Sequence, residues 1–207
     1  MVIKDLIAKE IVEQNGYAAP AYTPGIRIRL DANENPFRLQ EPLKKKLLEK
    51  MGRIDFNRYP VAGSPELRER FAGYFGVDQD MVMLGNGSDE LIQILCLALK
   101  GSINGVLVPV PTFAMYKIIA VNTGNNVLEV PLDSNFDLDT EAMLGKMATN
   151  FPALVFLSYP NSPTGNLFSP DKIETIIKKS PGVVVVDEAY ASFSGQTFLP
   201  LLNDRLF

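Results

Sequence analysis

The chain of 207 residues carries 24 acidic against 20 basic side chains, a net charge of −4, with 46% hydrophobic and 21% charged residues. That composition is ample for a packed core, offers no cationic excess to neutralise nucleic-acid phosphates, and holds no apolar run near the ~20 residues that cross a bilayer. Histidine is absent and Cys96 is the single cysteine, which excludes histidine-based triads, internal disulfides and Cys/His zinc sites. A cytoplasmic protein without a metal site is expected.

In chain order, residues 1–36 read as an arm: a short amphipathic stretch, a turn-rich GYAAPAYTPG, a strand at Ile26–Leu30 and a DANENP loop. Residues 41–51 read as a helix ending at Gly52. Ser64-Pro65-Glu66 reads as a helix start, with Ser64 as the cap, proline in the first turn and an acid after it. From residue 80 short apolar runs alternate with helical segments. The runs are MVML (81–84), VLVPV (106–110), VLEV (127–130), ALVFL (153–157) and VVVV (183–186). The helices fall near 88–100, 113–122, 139–149 and 170–179. This rhythm predicts an α/β fold, a mostly parallel sheet with helices on both faces. ALVFL and VVVV lack polar alternation, as strands covered on both faces do.

Ligands in open α/β sheets bind beyond the carboxyl ends of the strands. The segments there are GNGSDE, PTFAMY, SYPNSPTGN and DEAYASF. Gly85-Asn86-Gly87-Ser88-Asp89 leads into a helix whose first N–H groups could hold a phosphate, or Ser88 or Asp89 could simply cap that helix. It matches neither the G-x-x-x-x-G-K-[ST] loop nor G-x-G-x-x-G, so neither nucleotide fold is supported. Phe113 and Tyr116 could stack on a planar ligand or fill the core. Asp187, after four valines, could hold a protonated ring nitrogen or cap a turn, and Tyr190 could turn its hydroxyl into the same crevice. Asn161-Ser162-Pro163-Thr164-Gly165 is a turn with an available amide. Lys44–Lys46 read as a solvated helix face, and Cys96 as a small core residue.

Taken jointly and in order, LDANENPF (30–37), NRYP (57–60), GNGSDELI (85–92), PTFAMY (111–116), PNSPTGN (160–166) and VVVVDEAYASF (183–193) resemble the fold-type I, pyridoxal-phosphate-dependent aminotransferases. Within them the chain is most similar to the histidinol-phosphate aminotransferases. The resemblance implies an incomplete large domain over 37–207, behind the arm of residues 1–36. It implies pyridoxal 5'-phosphate as cofactor, with its phosphate on the backbone amides of Ser88 and Asp89 and its ring on Phe113. Asp187 would pair with the ring nitrogen, and Tyr190 would bond the ring hydroxyl oxygen with help from Asn161 or, in its place, Ser162. Tyr59 would reach a partner subunit's phosphate, which implies a homodimer with a shared site, and Tyr22 and Asn33 of the arm would face the substrate.

The implied reaction moves an amino group between histidinol phosphate or imidazole-acetol phosphate and glutamate or 2-oxoglutarate, in histidine biosynthesis. The family's Schiff-base lysine lies further along than Phe207, so these 207 residues are expected to be inactive alone. Competing expectations are an aromatic aminotransferase, a threonine-phosphate decarboxylase, and a lysine-less binding module that keeps the fold without the chemistry.

Overall fold

The computed structural model describes residues 7–14, 24–25, 28, 35–100 and 105–202. Three helices come first: α1 (Lys9–Val12), α2 (Glu41–Met51) and α3 (Pro65–Phe75). A regular alternation follows: α4 (Ser88–Ala98), β1 (Val106–Val110), α5 (Ala114–Asn122), β2 (Val127–Pro131), α6 (Thr140–Asn150), β3 (Leu154–Ser158), α7 (Pro170–Lys179) and β4 (Val183–Asp187). A single turn of helix, α8 (Ala191–Ser194), completes the set. The predicted strand at 26–30 lies outside the described residues save Ile28. No helix among the described residues is long and apolar enough to cross a membrane.

All strand pairs are parallel, in the order β2-β1-β3-β4. From β1 the chain crosses to β2 on one side, then returns to build β3 and β4 on the other. A crevice opens where the direction reverses, between the carboxyl ends of β1 and β3.

Alternation along the strands divides the core in two. Leu107, Val155 and Leu157 face Met143 and Met147 of α6 and Ile173 and Ile176 of α7. Val106, Val108, Leu154 and Phe156 face Ile92 and Cys96 of α4 and Tyr116, Ile119 and Ala120 of α5. Helices therefore cover both faces. Cys96 is fully buried as expected, and burial pushes its thiol up to about 11 against the opposing hydrogen bond with Thr123.

Two sequence expectations need correction and one holds. MVML is not a strand: Gln79–Met81 forms a 3-10 turn, and Arg68 of α3 donates to the carbonyls of Gln79 (2.7 Å) and Val82 (3.0 Å), which a sheet ladder would otherwise use. VVVV is packed on both faces as expected, Val184 and Val186 against the α6–α7 side and Val185 against the α4–α5 side, with Val183 alone exposed. Ser64 stands at the cap of α3 but in the left-handed region (φ 42°), with no side-chain cap bond.

The loop from β2 into α6 is fastened to α7 by charge. Lys172 donates to Leu138 O at 2.7 Å and sits 3.1 Å from Asp133 and 3.0 Å from Asp137. Burial would raise the Asp137 carboxyl, but hydrogen bonds from the Ser169 hydroxyl and amide, the Leu138 amide and Lys172 hold it down to about 2. A depressed carboxyl stabilises the fold above its unfolded value near 3.8 and loses that contribution as pH falls toward about 2. Urea unfolding between pH 5 and pH 2 is expected to show roughly 2 kcal/mol of acid-labile stability in the native chain that is missing from Asp137→Asn. Equal acid slopes for the two proteins would contradict this.

Candidate cofactor site

A cavity of about 270 Å³ opens at the carboxyl end of the sheet. Asn86, Gly87, Ser88 and Asp89 line it from the start of α4, Phe113 from the end of β1, Ser158 from β3, and Asp187, Ala189 and Tyr190 from the end of β4. Three strand ends and one helix N-terminus thus converge, because the parallel order points every strand at the same rim.

The α4 terminus is bare. Gly87 occupies the cap position at φ +83°, and no side chain caps the helix there, so neither Ser88 nor Asp89 acts as the ordinary cap the sequence allowed. A Cβ at Gly87 would meet nothing within 4 Å, but the positive φ favours glycine. The first amides of α4, an 11-residue helix, are left for an anion, with the helix dipole favouring negative charge.

Asp187 supplies the opposite pole. Its Oδ1 accepts the Ala189 amide at 3.0 Å and its Oδ2 accepts the Tyr116 hydroxyl at 2.7 Å. The carboxylate is held on both oxygens, and its cavity side is free for a cationic N–H. Tyr116 itself lies beneath the site. It is fully buried and stacked on Phe156 at 4.9 Å, which excludes the face-on ligand contact the sequence allowed for it. Burial, then the Asp187 charge and hydrogen bond, push the Tyr116 phenol far up, so it stays a neutral donor to the carboxylate. Phe113 packs edge-on against Tyr116 at 5.4 Å and keeps a partly exposed face on the cavity wall.

Of the residues singled out in the sequence, the structure brings together Ser88, Asp89, Phe113, Asp187 and Tyr190. Asn161 is not among them. It is buried, its Oδ1 accepts the Thr112 hydroxyl (2.9 Å), and its Nδ2 donates to Pro111 O (3.0 Å) and Thr164 Oγ1 (2.7 Å). Its amide is consumed in fastening loops, and neither it nor Ser162 lines this cavity; both border a neighbouring one that shares Tyr190. Tyr59 is fully exposed and away from the cavity. Tyr22 and Asn33 lie outside the described residues.

Sequence reasoning did not single out Ser158, the first residue of SYPNSPTGN, or the link from Tyr116 to Asp187. The i, i+3 spacing of Phe113 and Tyr116 was the available signal, since it puts both on one helix face.

A pyridine ring bearing a phosphate fits this donor set. The amides of Ser88 and Asp89 would take the anion, Phe113 the ring face and Asp187 the ring nitrogen. Among the described residues no lysine lines the cavity.

Comparison with known proteins agrees with that chemistry. The family model described as Aminotransferase class I and II matches residues 26–206. Histidinol-phosphate aminotransferase 2 of Nitrosococcus oceani is 47% identical over 178 residues, covering 86% of this chain and 49% of that protein. Among solved structures, histidinol-phosphate aminotransferase from Clostridium acetobutylicum superposes with a TM-score of 0.67 at 25% identity, over 78% of this chain and 48% of that one. The Sinorhizobium meliloti histidinol-phosphate aminotransferase in complex with pyridoxal-5'-phosphate gives 0.66 at 21% identity, over 77% and 43%. That likeness carries the fold alone. The chain spans about half the length of the curated relatives it matches.

Proposed function

The chain belongs to the class I and II aminotransferase family, and from that premise we propose that it forms the cofactor-holding part of a histidinol-phosphate transaminase. The observation that carries this reading is the cavity itself, with a bare helix N-terminus at one end and a doubly held carboxylate at the other. Identity of 47% to a histidinol-phosphate aminotransferase supports the substrate.

In this reading the backbone amides of Ser88 and Asp89 hold the phosphate of pyridoxal phosphate, and Phe113 covers one ring face. Asp187 keeps a proton on the ring nitrogen, with Tyr116 beneath it holding the carboxylate in place. Tyr190 bonds the ring hydroxyl oxygen. Bound there, pyridoxal phosphate supplies the electron sink for the bond broken at the substrate's α-carbon. The amino group passes between histidinol phosphate or imidazole-acetol phosphate and glutamate or 2-oxoglutarate, in a cytoplasmic homodimer. Tyr59, wholly exposed, is free to reach a partner subunit, and Tyr22 and Asn33 are assigned to the substrate from the family resemblance alone. The proposal does not extend to Asn161 as a cofactor ligand, because its amide is already bonded within the protein.

One experiment tests the reading. A chimera that joins these residues to the C-terminal half of the Nitrosococcus oceani relative is expected to bind pyridoxal phosphate and form glutamate from histidinol phosphate and 2-oxoglutarate. Its kcat/KM should exceed that for phenylalanine or phosphothreonine by about tenfold or more. A chimera that binds the cofactor yet turns over none of the three would contradict the proposal. Preference for phenylalanine or phosphothreonine would reject histidinol phosphate as substrate.

A further inference from the structure

Three loop ends at the rim of the sheet are tied by one continuous chain of side-chain hydrogen bonds. The Thr112 hydroxyl donates to Asn161 Oδ1 at 2.9 Å, and Asn161 Nδ2 donates back to Pro111 O at 3.0 Å. The same Nδ2 donates to Thr164 Oγ1 at 2.7 Å, and the Thr164 hydroxyl donates to Asn166 Oδ1. Asn166 Nδ2 then donates to Phe136 O at 2.8 Å. The strap runs from the loop after β1, across the turn after β3, to the loop after β2. Its centre, Asn161, is 2% exposed, and its backbone is pinned as well, donating to Asn166 O (2.9 Å) and accepting from Gly165 N (2.7 Å).

The place of this strap matters more than its strength. It joins β1 and β3 at the point where the strand order reverses, which is where the crevice opens. Pro111 and Thr112, the two residues it grips, immediately precede Phe113, the aromatic wall of the cavity. Phe113 packs its core side against the cluster that holds Tyr116 and turns its remaining partly exposed face to the cavity. The anion end of the cavity is built separately, from the first turn of α4, and receives no bond from the strap.

We propose that Asn161 and Thr112 are positioning residues that set Phe113 against the ring of the bound cofactor, and that Asn161 acts through this brace rather than as a ligand. The inference rests on the reading of the cavity as the pyridoxal-phosphate site. A preset wall spares the ordering cost that a mobile aromatic would incur on binding, and a displacement of about 1 Å at such a wall is costly. The brace therefore governs affinity for the ring while leaving affinity for the phosphate to α4.

The test measures dissociation constants of pyridoxal phosphate and of inorganic phosphate for the 207-residue chain, for Asn161→Ala, for Thr112→Val and for the double variant. Circular dichroism confirms the fold of each. Each single variant is expected to bind pyridoxal phosphate about tenfold more weakly, and inorganic phosphate less than about twofold more weakly. Because both act on one bond, the double variant should lose little more than either single one. Equal losses for both ligands would mean a structural role only and overturn the proposal. A large loss in Asn161→Ala with none in Thr112→Val would mean direct ligation by Asn161 and overturn it too. If Asn161→Ala does not fold, Thr112→Val decides alone, by the ratio of its two losses. If the unaltered chain holds pyridoxal phosphate no tighter than inorganic phosphate, the failure belongs to the cofactor reading, not to the brace.

Discussion

Asp187→Asn is expected to weaken pyridoxal phosphate binding by about ten- to hundredfold while leaving the protein folded. A hydrogen bond to a charged group contributes about 1.5–3 kcal/mol, and the proposed one would join a carboxylate to a ring N–H inside a cavity partly screened from water. The amide side chain keeps its one oxygen for the buried Tyr116 hydroxyl, which the carboxylate accepts at 2.7 Å in the native protein, and gives up the bond from the exposed Ala189 amide, which water can replace. Asp187→Ala serves as the contrast. It loses the same charge but also strands a fully buried tyrosine hydroxyl, which costs about 1–3 kcal/mol of stability in addition. Titration followed by the cofactor's own absorbance reads the affinity, and thermal unfolding reads the stability. An Asp187→Asn protein that binds as tightly as the native chain would remove Asp187 from the site.

The largest effect on the fold is expected at Phe156. It is fully buried in β3, stacked on Tyr116 at 4.9 Å and 6°, in the part of the core formed by α4 and α5. Truncation of such a ring to alanine costs about 3–5 kcal/mol, from lost burial and the cavity left behind. In a chain of this size that is a fall in Tm of about 6–20 °C. The same change at Phe193, which is 78% exposed, is expected to cost under about 0.5 kcal/mol. Comparable losses at the two positions would mean that the strand assignment of Phe156 is wrong. Because Phe156 carries Tyr116 and Tyr116 carries Asp187, Phe156→Ala should also weaken cofactor binding in the fraction that remains folded.

The sheet was legible in the sequence because its strands are short β-branched runs separated by helices of ordinary length. VLVPV, VLEV, ALVFL and VVVV all became strands within a residue or two of their expected bounds. MVML has the same apolar look but lies beside Arg68, whose guanidinium takes the Val82 carbonyl within the run and the Gln79 carbonyl just before it. A run of four hydrophobic residues does not reveal that competitor 14 residues upstream. VVVV reads as covered on both faces, and its side chains do divide between the two halves of the core, with only Val183 exposed.

The site was legible where function follows from backbone position. Gly87 with Ser88, and Asp187 at a strand mouth, are visible as a glycine before a helix and an acid after valines. It was less legible where function depends on how a side chain spends its hydrogen bonds. Asn161 has the type expected of a ligand, but Pro111, Thr112 and Thr164, two of them about fifty residues away, use up its amide. Tyr116 reads equally as core or as stacking platform, and only the 71-residue separation closed by its bond to Asp187 shows what it does.

The central claim is that pyridoxal phosphate occupies the cavity between the α4 terminus and Asp187. The most direct measurement is a map of backbone amide shifts as the uniformly 15N-labelled chain is titrated with pyridoxal phosphate. Saturable shifts are expected to concentrate at Gly87, Ser88, Asp89, Phe113, Ala189 and Tyr190, with inorganic phosphate moving only the first three. Saturation with those amides unmoved, or with the shifts gathered along the exposed lysines of α2, would contradict it.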